Sequence, residues 1–191
     1  MSDPETIDFP APVGTQRPSR TIHSELATLP LSFKKKGIRE VSFRIAFPPD
    51  LDRQLRLTSA LGLLSREPID VGRVRVAPRD VLMALLKQLP KPPAAAPDEY
   101  EILRVSVRGE QGGRPAEEVV TCHAPGVPAW GVGVDADTGC PPSIAIQLLL
   151  RGEIEARGVL PPEVAIPVAP FFAELDRRGM RVDRTSGRRK S

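Results

Sequence analysis

The sequence is poor in aromatic residues, histidine and cysteine: its 191 residues include one Trp, one Tyr, six Phe, two His and two Cys. Two cysteines, Cys122 and Cys140, are too few for a disulfide scaffold and fit a reducing cytoplasm. No apolar run approaches the ~18–20 residues needed to cross a bilayer, so no membrane association is expected. The acidic start Met1-Ser2-Asp3-Pro4-Glu5, with no apolar segment behind it, is not a signal peptide. Nucleotide and hydrolase motifs are also missing. There is no G-x-x-x-x-G-K-[ST], and no G-x-S-x-G elbow. Gly131-Val132-Gly133 lacks the third glycine of a dinucleotide fingerprint. Cys122, His123, Cys140 and His23 have no C-x₂-C or H-x₃-H spacing, so no metal site is expected. Glu153 and Glu155 are two apart and cannot pair on one helix face. Nothing in the sequence supplies a catalytic group.

What is abundant is proline: 22 residues, a density that excludes long helices and points to short elements with rigid connections. The net charge of +3 is uneven. Arg184, Arg188, Arg189 and Lys190 lie in the last eight residues, which leaves residues 1–183 with 23 basic and 24 acidic groups. The basic character therefore belongs to a tail, expected to be disordered over 183–191, and no specific nucleic-acid binding is expected of the body. Residues 1–6 are likewise expected to be disordered.

Hydrophobic periodicity locates the elements. A strand is expected within 7–13, and a clear one over 40–47, where Val41, Phe43, Ile45 and Phe47 alternate with polar or small residues. Pro48 and Pro49 end it. Asp50 is positioned to cap a helix over 51–61, which Gly62 stops. A short strand over 73–76 leads to a helix opening at Pro78, with Val81, Leu82, Leu85, Leu86 and Leu89 on one face. Residues 91–97 read as a linker loop. Leu103, Val105 and Val107 begin a hairpin that turns within 109–114 and returns over 118–123. Helices are expected over 142–151 and 170–178, and Trp130 in the core. The expected fold is α+β: a mostly antiparallel sheet with about four helices packed mainly on one face, in a single domain without a Rossmann domain.

One stretch has strong individuality: residues 135–175, DADTGCPPSIAIQLLLRGEIEARGVLPPEVAIPVAPFFAEL. It resembles the C-terminal part of the saccharopine dehydrogenase family, with its lysine dehydrogenase relatives. The family pattern runs D-T-G-x-P-x-S-I-A-x-Q-x-x-x-x-G-x-I, then G-V-L-P-P-E, then P-x-x-F-F-x-E-L-x-x-R-G. Thr138, Gly139, Pro141, Ser143, Gln147, Gly152, Glu163, Phe171, Phe172, Glu174, Arg178 and Gly179 all fall in register. A fainter match, His23-Ser24-Glu25-Leu26-Ala27-Thr28-Leu29-Pro30, is similar to the family's H-x-E-x-x-T-L-P. The resemblance covers residues 7–182.

The resemblance implies a substrate-binding and dimerisation domain of an oxidoreductase acting on an amino-acid-type substrate. Its relatives carry an N-terminal Rossmann domain for NAD or NADP. Here that domain is implied for a partner chain, or is missing, and this chain is expected to bind no cofactor itself. The expected partners are a Rossmann-domain chain or a second copy of the chain. The alternative is a non-catalytic, stand-alone interaction or small-molecule-binding module with the same fold.

Candidate substrate-binding residues follow from the resemblance. His23 and Glu25 lie in the H-x-E motif. Arg44 could fix a substrate carboxylate, whose geometry suits the guanidinium fork, although a solvated or salt-bridged strand Arg is the ordinary reading. Thr138 and Gly139 could offer backbone N–H groups to an anion at a helix start, or simply cap it, and Pro141 and Pro142 remove two donors there. The helix carrying Ile144, Gln147, Leu148 and Leu149 is apolar nearly all round, so it is either central to the domain or clamped in an interface.

Overall fold

A computed structural model describes residues 4–90 and 98–187. The expected linker at 91–97, residues 1–3 and the tail residues 188–191 lie outside the described residues. The fold class is α+β with antiparallel strand pairing. The described residues form four small sheets and six α-helices, two more helices than periodicity located. The chain groups into two compact units. One comprises Met1–Ile7, Arg17–His23 and Ser42–Pro93; the other comprises Asp8–Gln16, Ser24–Val41 and Ala94–Ser191. A strand was expected within 7–13; only the two-residue β1 (Ile7–Asp8) lies there, and it pairs with β2 (Thr15–Gln16), just beyond that segment.

In the first unit, β3 (Ser19–Thr21) pairs with β4 (Phe43–Ile45), Arg20 opposite Arg44. The strand expected over 40–47 is cut to three residues because a ladder runs only as far as its partner, and Pro18, just before β3, has no N–H to donate. Helix α2 (Pro49–Ala60) starts earlier than expected. Pro49 takes the first helical position, for which its fixed φ is suited, so Asp50 lies inside the first turn rather than capping it. Gly62 (φ +74°) ends it as anticipated. Next, β5 (Ile69–Val71) and β6 (Val74–Val76) form a hairpin, and α3 (Pro78–Leu86) opens at its proline as expected.

In the second unit, α1 (Glu25–Ser32) was not visible as a periodic pattern. The unit's frame is the sheet β7 (Tyr100–Gln111), β8 (Arg114–Pro125) and β9 (Arg181–Gly187), in that order. The hairpin is longer than its apolar alternation suggested. Only Gly112 and Gly113, both at positive φ, form the turn, as a two-residue connection with right-handed strand twist requires. Residues 183–187 are a correction to the expected tail. They continue β9 along β8, with Arg184 opposite Val120 and Gly187 opposite Glu117. Sequence gives no periodicity there, because the residues pair through backbone on an edge.

Helix α4 (Ala136–Leu150) begins six residues before the expected start, with Pro141 and Pro142 inside it. Ala136, Cys140, Ile144 and Leu148, at four-residue spacing, form its buried stripe. They pack with Leu175 of α6 (Val168–Asp176), with Met180, and with Cys122 and Val182 of the sheet. A one-turn helix, α5 (Pro162–Ala165), lies between them in sequence. Trp130, expected in this core, is instead 58% exposed, on a 3-10 turn over Pro128–Trp130.

Candidate functional site

The motif residues of the second unit gather around α4 and α6, where Glu174 is the centre. It is 6% exposed and lies between three arginines. The Arg178 Nη1 donates to its Oε2 at 2.6 Å, the Arg177 Nη1 to Oε1 at 2.6 Å, and the Arg151 Nη2 to Oε1 at 3.0 Å. The hydrogen bond from Arg178, followed by the Arg151 bond and the charges of Arg177 and Arg151, outweighs burial and holds the carboxyl down to about 2. Arg178 also donates to the Gln147 Oε1 at 3.2 Å, and the Gln147 Nε2 donates to the Ser143 hydroxyl. Four residues that carry the family resemblance, Ser143, Gln147, Glu174 and Arg178, are thereby a clasp between α4 and α6. Their visible role is structural: the Glu174 carboxylate is met by three guanidiniums, and Arg178 ties it to Gln147.

A second convergence joins the two motif regions. The Ser32 hydroxyl of α1 donates to the Glu163 Oε1 of α5 at 2.7 Å. Burial would raise the Glu163 carboxyl, but hydrogen bonds from Ser32 and Thr28 prevail and hold it below its ordinary range. Beside α5, an open, mainly apolar groove is lined by residues including Ile146, Leu149, Leu160 and Ile166.

The expected anion site at the start of α4 is not there. The N–H of Thr138 and that of Gly139 both donate to the Asp135 carbonyl, at 3.2 and 3.0 Å, so neither is available. The Thr138 hydroxyl donates to Asp137. The Val134 N–H reaches the Glu99 carboxylate at 3.4 Å, and burial, then Asp137, pushes the Glu101 carboxyl up. A pyrophosphate does not fit here. In the loop leading into α4 the N–H groups of Gly131, Val132 and Val134 are bonded within the chain and carboxylates lie nearby, the reverse of a phosphate cradle.

The remaining candidates are placed as follows. His23, in the first unit, stacks on Phe43 with ring centroids 3.9 Å apart. Arg44, also there, has its Nε 3.5 Å from the Glu5 carboxylate, the ordinary salt-bridged arrangement. Glu25 lies in the first turn of α1 in the second unit, so the structure describes it apart from His23. Ile144 and Leu148 are core, at 0% and 1% exposure, which corrects their assignment to an interface. The correction follows from their place on the four-residue stripe. Gln147 is held in the clasp, and Leu149 is exposed.

Sequence reasoning missed a polar group on the sheet face opposite α4. The Tyr100 hydroxyl lies 2.9 Å from the Nδ1 of buried His123, and the His123 Nε2 lies 3.2 Å from the Asp183 carboxylate, which also takes Arg181 at 2.9 Å. With the hydrogen on Nε2, Tyr100 donates to Nδ1 and Asp183 accepts from Nε2, while the Arg181 Nη2, 3.4 Å from that nitrogen, donates to Asp183. Cys122 and His123, being adjacent on β8, face opposite sides of the sheet and cannot share a metal. Burial, with Asp137 adding to it, raises the Cys122 thiol. Among the described residues there is no group of three His, Cys, Asp or Glu able to hold a metal, and no helix long and apolar enough to cross a membrane.

These features define an α+β domain whose sequence motifs are spent on joining its helices. The family model of the saccharopine dehydrogenase C-terminal domain matches residues 1–180, and the chain belongs to that family.

Proposed function

We propose that this chain is the substrate-side and dimerisation domain of a saccharopine-dehydrogenase-like oxidoreductase, acting in the cytoplasm on an amino-acid-type substrate. Hydride transfer would use NAD or NADP held by a Rossmann domain on another chain or another segment. The family match over residues 1–180 carries this reading. The occupied amides at the start of α4 support it, because they leave that loop unsuited to a dinucleotide. The test is co-expression with a neighbouring reading frame that encodes G-x-G-x-x-G after a strand. Co-purification and pyridine-nucleotide-dependent oxidation of an amino acid, absent from either chain alone, is the expected result. A complex that never forms, with no such activity in the mixture, would overturn the reading.

The open apolar groove beside α5 favours a second reading, a stand-alone module that binds a small apolar molecule. Under that reading, an apolar dye would be displaced from the wild type by a small ligand but not from Leu149→Arg.

A further inference from the structure

We propose that Arg104 and Thr121, on the sheet face opposite α4, form a binding site for the carboxylate group of a small ligand. The site gives the amino-acid-type substrate of the proposed function a place for its acid group, and it rests on that reading only for the identity of the natural ligand.

Arg104, on β7, is a half-buried charge without a counter-charge: among the described residues no carboxylate lies within ion-pair distance of it. Its Nη1 donates to the Asp8 carbonyl at 2.8 Å, and its guanidinium carbon lies 4.6 Å from the centre of the Phe9 ring. These two contacts fix the guanidinium and offer it partial negative charge, but neither is an anion. Its Nε is the one buried side-chain nitrogen or oxygen without a hydrogen bond among the described residues. Native proteins rarely leave such a group unmet, and a water or a ligand ordinarily fills the place. Arg44, to which the sequence pointed for this task, is by contrast answered by Glu5.

The sheet register sets what stands beside Arg104. Arg104 is opposite Thr121 and Thr121 is opposite Asp183, so the three side chains form a row on one face. Thr121 is 7% exposed, and its hydroxyl has no hydrogen bond among the described residues. Asp183, at the far end, is engaged by His123 and Arg181. Two strand spacings, roughly 10 Å, separate it from Arg104 at the backbone, and the two do not pair.

This row fits a carboxylate. Asp8 takes Nη1, which leaves Nε and Nη2, a two-donor edge of the guanidinium fork. A carboxylate meets such an edge with both oxygens, in bonds stronger than those between neutral groups. The Thr121 hydroxyl, the direct neighbour of Arg104 in the row, supplies a third donor. A water would satisfy Nε and leave the charge unmatched, whereas a carboxylate answers both. Asp183 in the same row disfavours a phosphate dianion. The ligand enters past Nη2, and a small turn of the guanidinium brings Nε to its second oxygen.

The test uses the full chain with sodium acetate as the probe, at constant ionic strength. The Nε–Hε resonance of Arg104, assigned by its loss in Arg104→Lys, should shift saturably with acetate at millimolar concentration. Sodium chloride should move it little. Thr121→Val, which keeps the shape and removes the hydroxyl, should weaken acetate roughly 2- to 10-fold, the worth of one hydrogen bond. Acetate affinity measured by calorimetry should fall at least about tenfold in Arg104→Lys, which keeps the charge and loses the fork. Should that variant not fold, Thr121→Val carries the test alone. A resonance that responds no more to acetate than to chloride overturns the proposal. So does unchanged acetate affinity in Thr121→Val, or a larger response to phosphate than to acetate. The measurement needs neither nucleotide nor partner chain. Failure of the co-expressed oxidation therefore sinks the proposed function and leaves the carboxylate site standing, and the reverse.

Discussion

Arg178, two residues past the end of α6, holds Glu174 in that helix's last turn, with its Nη1 2.6 Å from the Glu174 Oε2 and 2.7 Å from the Glu174 carbonyl. The same guanidinium reaches back to Gln147 on α4. A single side chain thus binds the end of α6 and the neighbouring α4, and the spacing Glu-x-x-x-Arg in the family-like motif fits that double grip.

The first prediction concerns acid stability. The Glu174 carboxyl is lowered from 4.5 to about 2, so its contribution is fully present above pH 4.5 and is lost as pH falls toward 2. Denaturant unfolding followed from pH 5 to pH 2 should show stability falling across that window. Glu174→Gln should be less stable at pH 7 and show a shallower fall. A variant with the wild-type pH dependence would contradict the clasp.

The second prediction separates core from surface on α4. Leu148→Ala should cost about 2–5 kcal/mol in equilibrium unfolding, as a buried leucine does. Leu149→Ala, at a 55% exposed position, should cost under about 1 kcal/mol. Equal costs would mean that the four-residue stripe is not the buried one.

The third prediction concerns β9. Removing residues 188–191 should leave stability unchanged within about 0.5 kcal/mol. Removing 184–191 deletes four ladder positions, including the Arg184 and Ser186 bonds to Glu118 at 3.0 and 2.7 Å. The cost should be on the order of 1–3 kcal/mol, summed from cross-strand pairs. Identical melting of both truncations would contradict the strand.

These cases show what kind of information the sequence carried. The α+β class, the hairpin, the helix opening at Pro78 and the Gly179 stop after α6 were legible, because periodicity and proline or glycine punctuation encode them locally. The start of α4 was hidden because Pro141 and Pro142 read as a boundary, whereas the helix begins at Ala136 and carries them as its sixth and seventh residues, where neither has an N–H to give to the carbonyl four residues back. Asp183 was assigned to a tail because four basic residues cluster nearby. Its pairing with His123, sixty residues away, is a tertiary fact that no local pattern records. Thr138 and Gly139 stood out by motif, yet backbone hydrogen bonds decide their availability, and those depend on where the helix begins.

The account's central claim is that this chain does not itself provide the dinucleotide site of its proposed reaction. Calorimetric titration of the purified chain with NADH and with NADPH tests it most directly. The expected result is no saturable heat with either nucleotide. Saturable binding at micromolar concentration would contradict the claim, and would require an anion cradle elsewhere than the loop leading into α4.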